Sequence, residues 1–257
     1  MILALLFACV DDTADTSKAA DSGDSGAPDT QETGDTGDYP GAEVNGVVTD
    51  PDGTPLPDFR VNVCRSLCMT ARTGADGSYT LAGLSPEVAS YYVQGDETLG
   101  YATPYAPITW VVDDVVTIDI QLLHLGDTEY TDGGPSYHVG DLAIAFADGD
   151  MADIYDDPIT YVTATEAPEG SRPPLETSET VLAVYYLAPF EAHGSATIAP
   201  SLTWGLAAGS TVNAWYAAEP IESGWVHGGA LTVDEAGTGY TGTATIEAFT
   251  TVMFTAP

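Results

Sequence analysis

From residue 43 to the end of the chain, short apolar runs rich in Val, Ile, Tyr and Thr alternate with turns rich in Gly, Asp and Pro. One stretch shows the pattern clearly, because Val116, Ile118, Ile120 and Leu122 alternate with polar side chains. A period of two predicts strands with one buried face. No window of 12 or more residues shows helical periodicity. The sequence therefore predicts an all-β protein with two consecutive β-sandwich domains.

Two groups of predicted strands define these domains. Residues 127–135, rich in Gly and Asp, separate the groups, so we place the first domain at 43–126 and the second at 136–257. The strands predicted for the first domain are residues 44–49, 59–63, 78–81, 90–94 and 115–123. Those predicted for the second are residues 142–146, 159–164, 181–187, 195–198, 211–216, 229–233 and 243–250.

The first domain contains a series of motifs at fixed spacing. They are Gly46-Val-Val48, Asp50-Pro-Asp-Gly-Thr-Pro-Leu56, Val61-Asn-Val63 and Thr73-Gly-Ala-Asp-Gly-Ser-Tyr-Thr-Leu81. This order resembles the carboxypeptidase regulatory-like domain, a small sandwich with a transthyretin-like fold. The resemblance implies a non-catalytic module, commonly fused to other extracellular domains, and it brings no catalytic residues.

The second half of the second domain resembles the ZU5-like β-sandwiches of surface proteins. This resemblance covers roughly 70 residues and does not extend over residues 136–180. The resemblance rests on the segments Tyr185-Tyr-Leu-Ala-Pro189, Ile198-Ala-Pro200, Gly209-Ser-Thr-Val-Asn-Ala-Trp215, Gly224-Trp225 and Ile246-Glu-Ala-Phe249.

The N-terminus carries a short apolar run that ends at Cys9. Residues 1–9 have the apolar segment of a secretory signal, and Leu6-Phe7-Ala8-Cys9 resembles the lipobox of bacterial lipoproteins. That resemblance implies cleavage before Cys9 and lipid attachment to it, and hence export across the inner membrane to the outer membrane or cell surface. Residues 10–42 are acidic and almost free of large apolar side chains, which predicts a disordered tether. The alternative is an ordinary N-terminus in which Cys9 has no role.

The charge of the chain excludes one class of partner. There are 39 Asp and Glu against 5 Lys and Arg, a net charge of −34, and the single lysine, Lys18, lies in the tether. Such a field repels nucleic acid, so we expect no nucleic-acid partner.

With Cys9 lipidated, two cysteines remain, Cys64 and Cys68. Four residues along one extended strand span roughly 13 Å, beyond the ~7 Å limit for a disulfide. A tight turn between the two cysteines is therefore required, and we predict a disulfide that clips a hairpin.

No arrangement typical of an enzyme is present. The four histidines lack partners at metal-ligand spacing, and there is no Gly-x-Ser-x-Gly motif and no phosphate-binding loop. We therefore predict that the protein is not an enzyme. The one candidate cofactor is calcium, for which the acidic segment offers Asp148, Asp150, Asp153 and Asp156, with a solvated acidic loop as the alternative.

Three functions follow from these features. The first is a lipid-anchored envelope protein that presents non-catalytic sandwiches for binding or scaffolding, with an envelope protein or polysaccharide as partner. The second is a carbohydrate-binding adhesin, calcium-assisted, with Trp204, Trp215 and Trp225 as candidates for stacking on sugars. The third is a hydrolase that uses a carboxylate pair, which predicts a cleft between the sandwiches with two facing acids.

The lipobox makes a direct prediction. In the native host, labelled palmitate should be incorporated into the wild-type chain and not into Cys9→Ala, because the thiol is the attachment point. The measurement is label per chain after purification. Absence of label, or label that survives in Cys9→Ala, would contradict lipid anchoring.

Overall fold

A computed structural model describes residues 41–257 except 96, 133, 148 and 219–223. Cys9, the signal and residues 10–40 of the predicted tether lie outside the described residues. The described chain is built from strands and two short 3-10 turns, Glu97–Leu99 and Glu169–Ser171, so the all-β prediction is confirmed. None of the helical segments described is long and apolar enough to cross a membrane.

The first sandwich packs two small sheets face to face. One sheet has the order β4-β1-β7, with β8 also paired to β1, and the other has the order β3-β2-β5-β6. The strands are β1 Ala42–Thr49, β2 Arg60–Cys64, β3 Cys68–Arg72, β4 Ser78–Leu84, β5 Val88–Val93, β6 Tyr105–Thr109, β7 Val115–Thr117 and β8 Ile120–Gln121.

A buried tyrosine pair joins the two sheets of this sandwich. The Tyr79 hydroxyl donates to the carbonyl of Ile118 (2.8 Å), and it accepts from the hydroxyl of Tyr91 (2.7 Å). Both rings lie in an apolar core with Val44, Leu81 and other buried residues. The pair satisfies its polar atoms internally, which is what permits two phenols in a core.

The second sandwich has a larger pair of sheets. One has seven strands in the order β18-β17-β16-β20-β14-β13-β9, and the other has the order β10-β11-β15-β12, with β19 also paired to β15. The strands are β9 Thr128–Tyr130, β10 Ser136–Val139, β11 Leu142–Ala145, β12 Met151–Ala152, β13 Tyr161–Glu166, β14 Thr180–Ala188, β15 His193–Pro200, β16 Thr211–Ala217, β17 Trp225–Val233, β18 Tyr240–Gly242, β19 Ala244–Ala248 and β20 Thr251–Ala256.

Two strands differ from the sequence prediction because the chain changes partners within them. Residues 115–123 alternate between buried and exposed as predicted, but they form two short strands, β7 and β8, each parallel to β1. Residues 243–250 leave the smaller sheet after β19, and Phe249 donates its N–H to the carbonyl of Ala192 (2.7 Å). The chain then enters the larger sheet as β20, a central strand that the sequence pattern did not predict.

Strand β9 lies inside the segment predicted to separate the domains. It pairs antiparallel with β13 and so forms one edge of the seven-stranded sheet. The sequence pattern did not predict this strand, because it has only three residues and lies in a segment rich in Gly and Asp.

The central strands of the seven-stranded sheet, β14 and β20, are covered on both faces. Along β14, Ala183, Tyr185 and Leu187 enter the core of the second sandwich, whereas Val184 and Tyr186 enter a separate apolar cluster on the opposite face. The first sandwich supplies part of that cluster through Ala102, Leu123 and Leu125. The two sandwiches consequently form one compact unit.

Gly46 allows β1 to approach the β7–β8 segment closely. A Cβ added at Gly46 would lie 2.0 Å from the carbonyl oxygen of Ile118, so Gly46→Ala must displace backbone. We expect this change to lower the free energy of unfolding by about 1–3 kcal/mol, the usual cost of overpacking. Gly170→Ala is the control, because a Cβ there meets nothing within 4 Å. Urea denaturation of both variants checks the prediction, and equal midpoints would contradict it.

Candidate functional site

A cleft of about 740 Å³ opens between the two sandwiches. The first sandwich lines it with residues 57–60, Arg72, residues 94–95 and the segment that carries Glu97, Leu99 and Thr103. The second sandwich contributes Ile154, Phe190 and Glu191. Its size falls within the range of ordinary small-molecule sites.

Glu97 holds the two walls of the cleft together. One of its carboxylate oxygens accepts a hydrogen bond from the hydroxyl of Tyr161 (2.5 Å), and the other accepts from the backbone N–H of Phe190 (2.8 Å). Burial raises the pKa of the Tyr161 phenol, and the hydrogen bond to Glu97 raises it further. The phenol therefore stays protonated at neutral pH and can donate to the carboxylate.

Phe190 is fixed by aromatic rings of the first sandwich. Its ring centroid lies 5.5 Å from that of Tyr92 and 5.7 Å from that of Tyr105. Tyr105 in turn donates its hydroxyl to the carbonyl of Ala218 (2.6 Å), and its N–H to the hydroxyl of Thr251 (3.2 Å). The cleft wall at Phe190 is thus part of a packed interface, so the cleft is pre-formed.

Two arginines lie side by side at the cleft. Arg60 and Arg72 are directly paired across β2 and β3. Arg72 donates from Nη1 to the carboxylate of Asp58 (2.8 Å) and to its carbonyl (2.8 Å). Arg60 forms no salt bridge with any residue that the structure describes.

The charges of Glu191 and Arg60 have opposite effects on the pKa of the Tyr92 phenol. Burial raises the pKa of Tyr92 to about 12; the negative charge of Glu191 also raises it, and the positive charge of Arg60 lowers it. Glu191 follows Phe190 with a φ of 61°, and its N–H donates to the carbonyl of Phe249 (2.9 Å). A cation and an anion therefore act on one part of the cleft.

The predicted disulfide is confirmed, and it lies away from the cleft. Cys64 and Cys68 face each other across β2 and β3, with a Cα–Cα distance of 4.0 Å and an S–S bond of 2.00 Å. The tight turn that the bond requires is formed by residues 65–67, with Arg65 ion-paired to Glu87.

The predicted calcium ligands are engaged in other contacts. Asp153 accepts the backbone N–H groups of Tyr155 (2.8 Å) and Asp157 (3.1 Å), and Asp150 accepts that of Ala147 (3.2 Å). Asp156 contacts Nε2 of His193 (3.2 Å), and Asp148 lies outside the described residues. Among the described residues no group of three or more His, Cys, Asp or Glu is placed to hold a metal. The calcium site stays a prediction.

The three tryptophans proposed for sugar stacking pack against their neighbours, and none lines the cleft. Trp204 lies 5.9 Å from the ring of Phe254, and Trp225 packs between the sandwiches. Trp215 donates from Nε1 to the hydroxyl of Thr255 (3.0 Å).

Sequence reasoning missed the residues that do line the cleft. They come from distant segments, and only the scarcity of basic residues could have singled out Arg60 and Arg72, which are two of the 5 Lys and Arg in the chain.

Removal of the Tyr161 hydroxyl should weaken the contact with Glu97 that joins the two walls of the cleft. Tyr161→Phe leaves one oxygen of Glu97 without its donor, so we expect the free energy of unfolding to fall by about 1–2 kcal/mol. Tyr240→Phe is the matched control, because its hydroxyl donates to a neutral carbonyl, that of Leu202 (2.7 Å), within one sandwich. Urea denaturation should show the larger loss in Tyr161→Phe. A loss no greater than that of the control would argue against the Glu97 contact.

Comparison with known proteins gives distant similarities of fold. A candidate carbohydrate binding protein from Bacteroides uniformis is 10% identical, with 81% of this chain and 99% of that chain covered and a TM-score of 0.28. The TIE protein of Bacillus anthracis is 8% identical, with 81% of this chain and 43% of that chain covered and a TM-score of 0.29. BcpA, the major pilin subunit of Bacillus cereus, is 11% identical, with 83% of this chain and 57% of that chain covered and a TM-score of 0.24.

No curated protein matches the chain. One protein family does match within it, over the first sandwich. Residues 43–123 match the carboxypeptidase regulatory-like domain, the family that the motifs between Gly46 and Leu81 indicated.

Proposed function

We propose that this chain is a lipid-anchored cell-envelope protein that binds a saccharide, without catalysis, in the cleft between its two sandwiches. The lipid is attached at Cys9, and the acidic tether that follows it carries the sandwiches away from the membrane surface. The partner is an envelope polysaccharide.

The cleft is the observation that carries this proposal. It is pre-formed, it has the volume of a small-molecule site, and it combines apolar walls with convergent polar groups. Phe59, Leu99, Ile154 and Phe190 supply the apolar surface. Arg60 and Gln94 can donate to sugar hydroxyls, and carboxylates can accept from them.

The state of the cleft carboxylates favours binding over hydrolysis. A glycosidase needs two acids free to exchange protons or attack the sugar. Both oxygens of Glu97 already accept hydrogen bonds from the chain, and Asp58 is ion-paired with Arg72. The first sandwich also matches a domain family whose resemblance implies a non-catalytic module.

The disulfide supports export. Cys64 and Cys68 are bonded, and disulfides form and persist mainly in oxidising compartments outside the cytoplasm. An acidic segment that follows a lipidated cysteine would hold such a module at a membrane surface.

The experiment that tests cleft binding uses Ile154, which lines the cleft and is 57% exposed. Ile154→Trp should fill part of the cleft without disturbing the core, so binding on a glycan array should fall at least about tenfold relative to wild type. Tyr155→Trp is the control, because Tyr155 is 78% exposed and lies outside the lining. The full-length chain in detergent is used throughout.

Three results would contradict the proposal. A silent array, or signals equal in wild type and Ile154→Trp, would show that the cleft is not a saccharide site. Release of p-nitrophenol from p-nitrophenyl glycosides, abolished in a variant of Glu191, would instead favour the hydrolase.

A further inference from the structure

Arg60 has an unusual electrostatic position. It stands directly opposite Arg72 in the β2–β3 ladder, and like charges in that arrangement destabilise a sheet. The charge of Arg72 is compensated by an ion pair with Asp58, in which Nη1 lies 2.8 Å from Oδ1. Arg60 has no such compensation among the described residues, and its side chain lines the cleft.

The other arginines of the fold are all engaged. Arg65 is ion-paired with Glu87, Arg72 with Asp58, and Nε of Arg172 donates to the carbonyl of Ala167 (2.7 Å). In a chain with 39 acidic residues and 5 basic ones, carboxylates to pair with Arg60 are abundant. Four arginines lie in the part of the chain that the structure describes, and two of them, Arg60 and Arg72, line the cleft. Of these four, Arg60 is the one whose guanidinium makes no hydrogen bond or ion pair with a described residue.

We propose that Arg60 binds a carboxylate of the ligand, so that the cleft selects uronic-acid saccharides over neutral ones. This inference rests on the proposed function and specifies its ligand. A guanidinium presents paired N–H donors that match the two oxygens of a carboxylate. An incoming carboxylate would also relieve the repulsion between Arg60 and Arg72.

The rest of the cleft limits how much negative charge the ligand can carry. Asp58, Glu97 and Glu191 provide three carboxylates beside the two guanidinium groups. A phosphate or a run of adjacent acids would meet repulsion from Glu191, whose charge acts on the same phenol of Tyr92 as that of Arg60. A ligand with a single carboxylate and neighbouring hydroxyls fits both Arg60 and Glu191, because its carboxylate can accept from Arg60 and its hydroxyls can donate to Glu191.

The test uses two probes that differ at one group, p-nitrophenyl β-glucuronide and p-nitrophenyl β-glucoside. Isothermal titration calorimetry on the full-length chain should show the glucuronide binding about twofold to fivefold tighter, the size expected of a partly exposed charge pair. Arg60→Gln should abolish this preference. Arg60→Lys should retain part of it, since the charge remains but the paired donors are lost.

Arg65→Gln is the matched control. It makes the same change in net charge on an exposed arginine outside the cleft, so the preference should persist. Arg60→Gln should fold at least as stably as Arg65→Gln in urea, because it removes a like-charge pair. Raised salt should weaken binding of the glucuronide more than binding of the glucoside.

Each other outcome overturns the inference in a distinguishable way. Equal affinity for both probes, with binding still lost in Ile154→Trp, leaves the saccharide cleft standing and removes the role of Arg60. A preference that survives Arg60→Gln places the carboxylate elsewhere. Binding of neither probe removes the uronate specificity, and a silent glycan array in addition removes the proposed function itself. A preference seen only between an acetylated dipeptide and its amide would assign the cleft to peptide carboxyl ends.

Discussion

The burial of the central strands of the seven-stranded sheet on both faces is the constraint on which the rest of the structure depends. A sheet in an isolated sandwich would leave one face in water, and a sheet buried on both faces reads as a continuous apolar run. Six consecutive residues of β14, from Ala183 to Ala188, are buried, since Tyr185 and Tyr186 enter different clusters. The first sandwich covers the second face. This docking brings the Glu97 segment against Phe190, and the cleft lies between those segments.

A chain with so few cations stabilises several of its carboxylates by other means, and neutral donors perform this role. Glu97 accepts from a backbone N–H and a phenol, and Glu176 accepts from the N–H (2.6 Å) and the hydroxyl (2.7 Å) of Thr109 across the sandwiches. Hydrogen bonds from Thr255 and then Asn213 lower the pKa of Glu179. A lowered pKa favours the folded state above the unfolded pKa, and that contribution is lost as the pH falls through the folded pKa. Glu97, Glu176 and Glu179 are thus held without an arginine.

The sequence predicted local structure well and tertiary arrangement poorly, for physical reasons. Alternating side chains identified most strands, and the spacing of Cys64 and Cys68 required the turn that the structure contains. The change of sheet between β19 and β20 was not predicted. Phe249 and the residues on both sides of it are buried, so the hydrophobicity of the sequence does not indicate where the chain leaves one sheet and enters the other. A cleft between the sandwiches was predicted only under the hydrolase hypothesis. Its lining residues were missed because Arg60, Glu97 and Phe190 are separated by long stretches of chain and meet only after the sandwiches dock. The composition of the predicted calcium segment is consistent with a metal loop. In the folded chain its three described aspartates contact backbone N–H groups and His193, and the composition does not predict these contacts.

The location of the cleft also explains why the family match of the first sandwich cannot supply the function by itself. A β-sandwich fold supports many roles, and a role resides in particular side chains. Here the first sandwich provides Arg60 and Glu97, whereas Ile154, Phe190 and Glu191 come from the second. The aromatic and acidic parts of one wall therefore lie outside residues 43–123, the region that matches the family. A change in Glu97 or Phe190 would alter the docking of the two sandwiches as well as the cleft. Arg60 differs from these two residues, because it lines the cleft and its guanidinium forms no ion pair with any described residue.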